Sequence, residues 1–376
     1  MQKIGSVALV AMAVSVLALA ACGGGYGGGG YNGGGGGTSS SSSSSVSMTA
    51  YSASQVAGDQ AAAGVNVDAN LINGWGLAIH PPGFIWVADN GTSKASLYDG
   101  NGIAQSAVIS ISPGLAGTAH PTGIVYNDST TSFKLSGGGI TAPAPMIFAS
   151  EAGTISAWSP AINPPLALTV FDGNTLHAVY KGLAILTGSV NRLYAADFHN
   201  NRIDVFDGAF NRIAVSGSFT DASVPAGYAP FNVQAFGGQL YVTYAKTTAG
   251  SDIETTGAGL GYVAVFDSNG NLVKHLASGG ALNAPWGLAM APANFGSFSN
   301  ALLVGNFGDG KINAYDPTTG ALLGTLSKGD GTAIVVPGLW GLAFGDGAAT
   351  RPANTLFYAA GPGNAAHGAF GRIEMH

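Results

Sequence analysis

The chain has 376 residues, of which 46% are hydrophobic and only 9% are charged, and its formal net charge is -6. With only 13 Lys and Arg side chains, a nucleic-acid-binding function through the phosphate backbone is excluded. The single cysteine, Cys22, excludes an intramolecular disulfide. No second linker interrupts the sequence after residue 46, which favours one large closed domain or a repeat array.

The first 21 residues have the pattern of a secretory signal. Lys3 precedes an apolar run from Val7 to Leu19 that is too short to span a bilayer stably as a helix. The motif Leu19-Ala-Ala-Cys22 resembles a bacterial lipobox, which implies a lipoprotein signal peptide over residues 1–21 and lipidation of Cys22. An uncleaved membrane anchor, or a buried cysteine without a role, is the alternative.

Residues 22–46 are dominated first by glycine and then by serine. Such a segment buries too little apolar surface to offset its ordering entropy, so we predict a flexible tether. The folded region would then cover residues 47–376. The lipid anchor would attach it to the membrane, and the tether would keep it at a distance from the bilayer. We therefore expect a cell-envelope location, and Gly23 after the cysteine favours the outer membrane, by resemblance to sorted lipoproteins of Gram-negative cells.

A short motif of small and apolar residues, which we call the recurring phrase, occurs six times in the folded region. Its equivalent positions are separated by 47, 59, 50, 55 and 54 residues, a period typical of β-propellers. An alternating apolar strand that often ends in Asp, Asn or Glu follows each phrase, then a third strand, and in four units a short fourth strand. The six equivalent positions are Gly76, Gly123, Gly182, Asn232, Gly287 and Gly341.

The last unit stops after a third strand near the carboxyl end, which would leave an exposed sheet edge. The segment Met48–Ser54 precedes the first phrase and is predicted to pair with that edge. No stretch keeps a 3.6-residue apolar period between turn signals, so long helices are not expected. The sequence therefore predicts an all-β, six-bladed β-propeller that is closed by an N-terminal strand.

Several segments carry a resemblance to known propellers. Leu193–Asp207 looks like an NHL repeat, and the blade segments Asn70–Ala78, Trp86–Thr92 and Phe148–Trp158 resemble an uncharacterised bacterial family of secreted propellers. Some members of that family carry a C-terminal PEP-CTERM sorting tail. This chain ends without that tail and has a lipobox instead. The resemblance implies the NHL-like propeller fold and almost nothing about chemistry.

Polar residues at the ends of the second strands are expected to converge at one mouth of the propeller axis. Oxygen ligands from several blades would suit Ca²⁺ or another divalent cation. Similar propellers of the gluconolactonase type hold a metal in this way, which raises a metal-dependent hydrolase or lactonase as an alternative function. The candidates are Asp89, Asn90, Glu151, Asp197 and Asn306, with Asn73, His120, Asn232 and Asn283 near the first strands.

A structural role competes with this interpretation. An Asp or Asn after a strand often accepts hydrogen bonds from the following turn, and we favour that role for Asp89, Asp197 and Asn306. Glu151 is a poorer turn residue and is therefore the foremost candidate for a metal ligand or catalytic carboxylate. His199, like His120, is a further candidate ligand, but an isolated loop histidine is usually solvated.

Trp75, Trp286 and Trp340 recur at one position of the repeat. We expect them to pack between blades or to plug the axis, and the alternative is an aromatic platform for a sugar or peptide. No Gly-x-Ser-x-Gly nucleophile elbow is present in the sequence. Enzymatic activity is thus not indicated by a nucleophile motif.

The function that these features favour is a lipid-anchored envelope propeller that acts as a ligand-binding or protein-scaffolding module. Its partners would be the membrane, through the anchor, and an envelope protein or carbohydrate, and we expect a monomer. The metal-dependent hydrolase would use Glu151 together with Asp89, Asp197 and Asn306. A structural partner of exported polymers or envelope assemblies is the third possibility.

Overall fold

The computed structural model describes residues 49–376 apart from Pro82 and Ala249. Regular structure in this part is almost entirely β, and its helices are the short 3-10 turns Asn90–Thr92, Asn174–Leu176 and Gly296–Phe298. Within these ranges no helix has the length and hydropathy needed to cross a bilayer. The predicted signal peptide, the predicted lipidation site Cys22 and the predicted tether lie outside the described residues.

The described residues up to Asp172 contain twelve strands. They are rich in Val, Ile, Leu, Trp and Tyr and end at Gly, Asn, Asp or Ser turns, which explains why they form here. The strands are β1 (Tyr51–Gly58), β2 (Asn66–Val67), β3 (Gly74–Ile79), β4 (Ile85–Asp89), β5 (Lys94–Tyr98), β6 (Ile109–Ile111), β7 (Pro121–Tyr126), β8 (Lys134–Gly137), β9 (Ile140–Pro143), β10 (Met146–Ser150), β11 (Thr154–Trp158) and β12 (Leu166–Asp172).

The second part of the chain continues the same pattern to the carboxyl end. Its strands are β13 (Tyr180–Leu186), β14 (Arg192–Asp197), β15 (Arg202–Asp207), β16 (Arg212–Ile213), β17 (Tyr228–Phe236), β18 (Gln239–Lys246), β19 (Tyr262–Phe266), β20 (Leu272–Ser278), β21 (Pro285–Met290), β22 (Leu302–Asn306), β23 (Ile312–Tyr315), β24 (Leu322–Thr325), β25 (Leu339–Phe344), β26 (Leu356–Ala360) and β27 (Ala369–Met375).

Most sheets are antiparallel meanders. Strands β13 to β16, β17 to β20 and β21 to β24 form three four-stranded sheets in chain order. A larger sheet has the order β3-β4-β5-β6-β12-β11-β10-β7, in which two meanders are joined through the parallel pair β6 and β12. A further sheet has the order β2-β1-β27-β26-β25, and β8 and β9 form a separate hairpin.

The six strands that carry the recurring phrase contact one another in a closed cycle, from β3 through β7, β13, β17, β21 and β25 back to β3. These inner strands surround a common axis, and the arrangement is that of a β-propeller. Apolar side chains fill the space between successive sheets, for example Val233, Val242 and Phe266, all fully buried. The hydrophobic core therefore lies between the sheets, and the residues of the recurring phrases line the axis.

The recurring glycines are required by how closely the inner strands approach each other. A Cβ atom added to Gly76 would lie 2.5 Å from the Thr122 carbonyl oxygen, and one on Gly341 would lie 2.5 Å from the Trp75 carbonyl oxygen. Real Cβ atoms do not come so close, so each neighbouring backbone occupies the place of a side chain. Asn232 is the exception, since it occupies the position that is glycine in the other five units. Its side-chain amide spans the gap to the next inner strand and donates a hydrogen bond of 2.8 Å to the Trp286 carbonyl oxygen.

The predicted closure by an N-terminal segment is confirmed. Strand β1 pairs antiparallel with β27, from Tyr51 opposite Met375 to Gly58 opposite Ala369. The strand begins three residues later than the predicted segment Met48–Ser54. Tyr51 is 1% exposed and its hydroxyl donates to the Phe295 carbonyl oxygen at 2.9 Å, so it also ties the strand to the preceding sheet.

Two features differ from the sequence prediction. The second unit has a fourth strand, β12, which was not predicted; Pro164 and Pro165, residues typical of loops, directly precede it. The hairpin of β8 and β9 is an insertion within that unit and was also missed. Its strands are largely exposed and lack the alternating apolar pattern that identified the other strands.

Replacing Gly341 by Ala tests the close approach of the inner strands. The added methyl would meet the Trp75 carbonyl oxygen, so we expect the free energy of unfolding to fall by about 1–3 kcal/mol, as in other overpacked cores. Urea denaturation monitored by circular dichroism measures this change. The matched control is Gly117→Ala, where a Cβ has no neighbour within 4 Å. Equal stability of the two variants would refute the steric explanation.

Candidate functional site

The three recurring tryptophans meet on the axis. The rings of Trp75 and Trp340 stack with centroids 3.7 Å apart, and Phe307 stacks on Trp340 at 4.0 Å. Trp286 contacts both tryptophans edge-on, at 6.2 Å from Trp75 and 6.0 Å from Trp340. Because all three tryptophans are only 3–4% exposed, their rings plug the axis and offer no open aromatic face.

Lys181 lies directly above this aromatic plug. It belongs to inner strand β13, is 4% exposed, and its ammonium is 5.2 Å from the centroid of Trp75, within cation–π range. Its Nζ donates a hydrogen bond of 2.6 Å to Oε1 of Glu151. Oε2 of Glu254 lies 3.8 Å from the same Nζ. The three side chains form a partly buried cluster of two carboxylates and one ammonium, in which the Glu151 side chain is 28% exposed, and we call it the Glu–Lys–Glu cluster.

A chain of hydrogen bonds joins this cluster to the plug. The Trp340 indole donates to Oδ1 of Asn73 at 3.0 Å, and the Asn73 amide donates to Oδ1 of Asn90 at 3.0 Å. The Asn90 amide then donates to Oε2 of Glu151 at 3.0 Å. Both oxygens of Glu151 are thereby engaged, one by Asn90 and one by Lys181. The chain fixes the Glu151 carboxylate in one orientation.

Glu254 is the less compensated carboxylate of the cluster. Its side chain is 9% exposed and reaches the axis from the loop between β18 and β19. Burial raises its pKa, because desolvation outweighs the opposing attraction of Lys181, and repulsion from Glu151 adds to the increase. The position of Lys181, 2.6 Å from Glu151 and 3.8 Å from Glu254, explains why the neighbouring ammonium compensates only in part.

A cavity of about 740 Å³ opens above the plug and the Glu–Lys–Glu cluster, and we call it the mouth cavity. Two of its walls come from loop segments, one before β25 and one between β26 and β27. The indole N–H of Trp75, which lines it, is buried without a hydrogen-bond acceptor in the described part of the chain. The lining residues are Asn73, Trp75, Glu151, Lys181, Ile253, Glu254, Thr256, Phe307, Gly308, Pro337, Gly338, Trp340, Gly361, Gly363, Asn364 and Ala365.

The other candidate oxygen ligands do not line this cavity. Asp89 is fully buried and accepts a hydrogen bond of 2.6 Å from Ser96, and burial raises its pKa well above the usual range. Asp197 is fully buried, pairs with Arg202 at 2.9 Å and accepts from the turn residue Asn200. The pKa of Asp197 is also raised, again chiefly by desolvation. Asp197 is thus engaged by its turn and by Arg202, whereas Asp89 is held by Ser96 through Oδ2 and its Oδ1 has no hydrogen-bond partner in the described residues.

Asn306 is likewise fully buried and engaged locally. Its amide donates to the Ala281 carbonyl oxygen at 2.8 Å, and its Oδ1 accepts from the backbone N–H of Asn283 at 3.1 Å. Of the four residues Asp89, Glu151, Asp197 and Asn306, only Glu151 therefore reaches the mouth cavity. The structure does not bring the four together.

The chemistry around Glu151 does not resemble a cation site. In the described residues no group of three or more His, Cys, Asp or Glu side chains is arranged to hold a metal ion. The ammonium of Lys181 already occupies the position in which a Ca²⁺ ion would face the Glu151 carboxylate. A divalent cation there would meet the repulsion of this buried positive charge.

The candidate histidines lie outside the mouth cavity. His120 approaches the Asn90 carbonyl oxygen through Nδ1 at 3.2 Å. His199 pairs with Asp252 at 2.6 Å on the exposed surface. Each histidine is thus engaged locally with a backbone or carboxylate oxygen, and the two are not brought to one site.

Sequence reasoning missed the two residues that complete the cluster. Lys181 is the only charged residue in the six recurring phrases. A charged residue at an otherwise apolar axial position indicates a special role and could have been noticed in the sequence. Glu254 had no such signal, because it lies in a loop with other polar residues. Only the fold brings it to Lys181.

Sequence comparison places the chain in a family. No family model matches it. Uncharacterised protein R648 of Acanthamoeba polyphaga mimivirus is 33% identical over 305 residues, which cover 79% of this chain and 74% of the viral protein. Uncharacterised protein L690 of the same virus is 35% identical over 283 residues, with coverage of 73% and 74%. The chain belongs to the family of these mimivirus proteins.

This family membership corrects the resemblance drawn from the sequence. The assignment to a bacterial secreted family associated with PEP-CTERM tails was wrong, because the relatives that share 33% and 35% identity are the mimivirus proteins. The strand and turn motifs on which the resemblance depended are shared by propellers in general, and they carry fold information alone.

Solved structures support the propeller fold of this family member. A streptogramin B lyase structure has a TM-score of 0.50 with 10% identity and covers 87% of this chain and 98% of its own. A Bacteroides thetaiotaomicron protein of unknown function has a TM-score of 0.54 with 9% identity, with coverage of 87% and 76%. At these identities the likeness concerns the fold only.

The raised pKa of Glu254 predicts a pH-dependent effect of Glu254→Gln. A carboxyl whose pKa is higher in the folded state stabilises the protein fully below its unfolded pKa, and this contribution is lost as the pH rises through the folded pKa. Glutamine does not ionise and does not lose this contribution. The free energy of unfolding of Glu254→Gln, relative to that of the wild type, should therefore increase as the pH rises from about 4.5 to about 8. Urea unfolding of both proteins at the two pH values measures the difference.

Asp252→Asn is the control for this experiment, since it removes a neighbouring carboxylate whose side chain is 52% exposed. A stability difference between the wild type and Glu254→Gln that does not change with pH would contradict the burial argument. A difference of opposite sign would show that the attraction to Lys181 outweighs desolvation.

Proposed function

We propose that this protein is a six-bladed β-propeller that acts as a ligand-binding or scaffolding module and that its ligand site is the mouth cavity. The observation that carries the proposal is the combination of a cavity of about 740 Å³ with the partly buried Glu–Lys–Glu cluster at its floor. Ligand pockets of proteins commonly have this size and a few convergent polar groups.

Six blades are supported by the cycle of inner strands. Each of the six inner strands begins one meander, and the eight-stranded sheet divides into two four-stranded meanders at the parallel contact of β6 with β12. The remaining meander, β25 to β27, gains its fourth strand from β1. This count agrees with the six recurring phrases of the sequence.

A binding role for the mouth cavity is supported by its polar groups. Burying charged side chains costs free energy that a purely structural plug does not require, because the aromatic rings below already fill the axis. The buried indole N–H of Trp75, which has no acceptor among the described residues, and the incompletely compensated Glu254 carboxylate are one donor and one acceptor that a ligand would satisfy.

A bulky substitution at the rim of the mouth cavity tests this role. Thr256 lines the cavity, so Thr256→Trp should block it, whereas the exposed turn residue Thr318 offers a matched Thr318→Trp control. We would screen amino-acid amides, polyamines, saccharides and dicarboxylates by saturation-transfer NMR. Compounds that bind the wild type and the control but lose their signal with Thr256→Trp support the proposal. No binding compound, or equal signals from all three proteins, would count against it.

We further propose that the module is held at the cell envelope by lipid on Cys22, which is supported by the motif Leu19-Ala-Ala-Cys22. In a bacterial host, the wild type should incorporate labelled palmitate and sediment with membranes. Cys22→Ser should lose the label and remain unprocessed or mislocalised, whereas Ser44→Ala in the tether should behave as the wild type. Membrane retention of a properly cleaved Cys22→Ser protein would contradict lipid anchoring.

A further inference from the structure

The charges that line the mouth cavity are unbalanced. Among its described lining residues, the ionisable side chains are two carboxylates, Glu151 and Glu254, and one ammonium, Lys181. Glu151 takes the short hydrogen bond from Lys181 at 2.6 Å together with the bond from Asn90, and Glu254 is left with the same ammonium at 3.8 Å. One negative charge is therefore incompletely neutralised in a poorly hydrated place.

The aromatic rings beside the cluster already face one positive charge, so a second cation would pair with Glu254 on the side away from Lys181. The aromatic rings of Trp75 and Phe198 already face the Lys181 ammonium, at 5.2 and 5.9 Å from their centroids. Next to them, the buried Trp75 N–H lacks an acceptor in the described chain. A bound molecule that supplies a cation and a nearby oxygen would satisfy both unmet groups.

We infer that the mouth cavity binds an organic cation, through a primary ammonium or guanidinium group that pairs with Glu254 and an acceptor oxygen that takes the Trp75 N–H. This inference rests on the proposed binding role of the same cavity. The pairing would be a charge-assisted hydrogen bond, the class of contact that contributes most per bond in polar recognition. Ligands of the arginine or lysine side-chain type have the required chemistry.

A pair of isosteric probes tests the charge requirement without altering the protein. N-acetyl-L-argininamide carries a guanidinium, N-acetyl-L-citrullinamide replaces it with a neutral ureido group of the same shape, and N-acetyl-L-lysinamide carries an ammonium. In calorimetric titrations at constant ionic strength, we expect a cationic probe to bind about tenfold or more tightly than the citrulline probe. Equal or tighter binding of the neutral probe would overturn the inference.

Variants of the protein then test the residue. Glu254→Gln should weaken binding of the cationic probe about tenfold or more, whereas Asp252→Asn, which removes an exposed carboxylate of the same loop, should leave it unchanged. Unchanged affinity in Glu254→Gln would refute the assignment of Glu254. Thermal unfolding of each variant verifies folding, and the isosteric probes on the wild type decide the question if Glu254→Gln does not fold.

Different results would contradict the proposed binding function and the inference that the ligand is a cation. If saccharides or dicarboxylates bind the wild type and are blocked by Thr256→Trp while the cationic probes do not bind, the cavity is a binding site for another ligand class and the cation inference is wrong. If no compound of any class binds, the proposed binding function is wrong as well.

Discussion

The close approach of six backbones around the axis is the constraint on which this structure depends. Gly76 and Gly341 face the carbonyl oxygens of the next inner strand, with no room for a Cβ atom. Every pairing of an inner strand with its second strand also shifts register near this position, so the backbone bulges where the strands converge. The glycines thus set the radius of the axis, and this radius decides which side chains can lie there.

A narrow axis explains the aromatic plug and the position of the charges. Trp75 and Trp340 directly precede Gly76 and Gly341, and their rings stack on the axis. The ring stack closes the axis to water below the cluster. Lys181, on inner strand β13, contacts an aromatic surface on one side and carboxylates on the other. The desolvation of Lys181 is offset because both kinds of neighbour stabilise a cation.

The sequence predicts much of the fold but little of the site, for a physical reason. The repeat period and the strand alternation are local patterns, and the closing role of β1 follows from an unpaired edge, so the order of amino acids is enough to predict them. The Glu–Lys–Glu cluster depends on contacts between residues far apart in the chain, such as Lys181 and Glu254. The turn role of Asp197, which accepts from Asn200, follows from its local position, whereas the contacts of Glu151 depend on Asn90 and Lys181.

The Glu–Lys–Glu cluster differs from the other buried carboxylates of the described chain because it faces the mouth cavity. Asp89 is also incompletely compensated, with no partner for Oδ1 among the described residues, but it does not line the mouth cavity. Asp197 and Asp204 are buried against Arg202 at 2.9 and 2.8 Å, so each carboxylate has a direct cationic partner. Glu254 has its cation only at 3.8 Å and faces a cavity instead of a packed interior. A fold stabilised by apolar contacts between sheets gains nothing from such a charge, and buried groups with perturbed pKa values in a cleft concentrate at binding and catalytic sites. Glu254 is therefore the group in the mouth cavity that a ligand would neutralise.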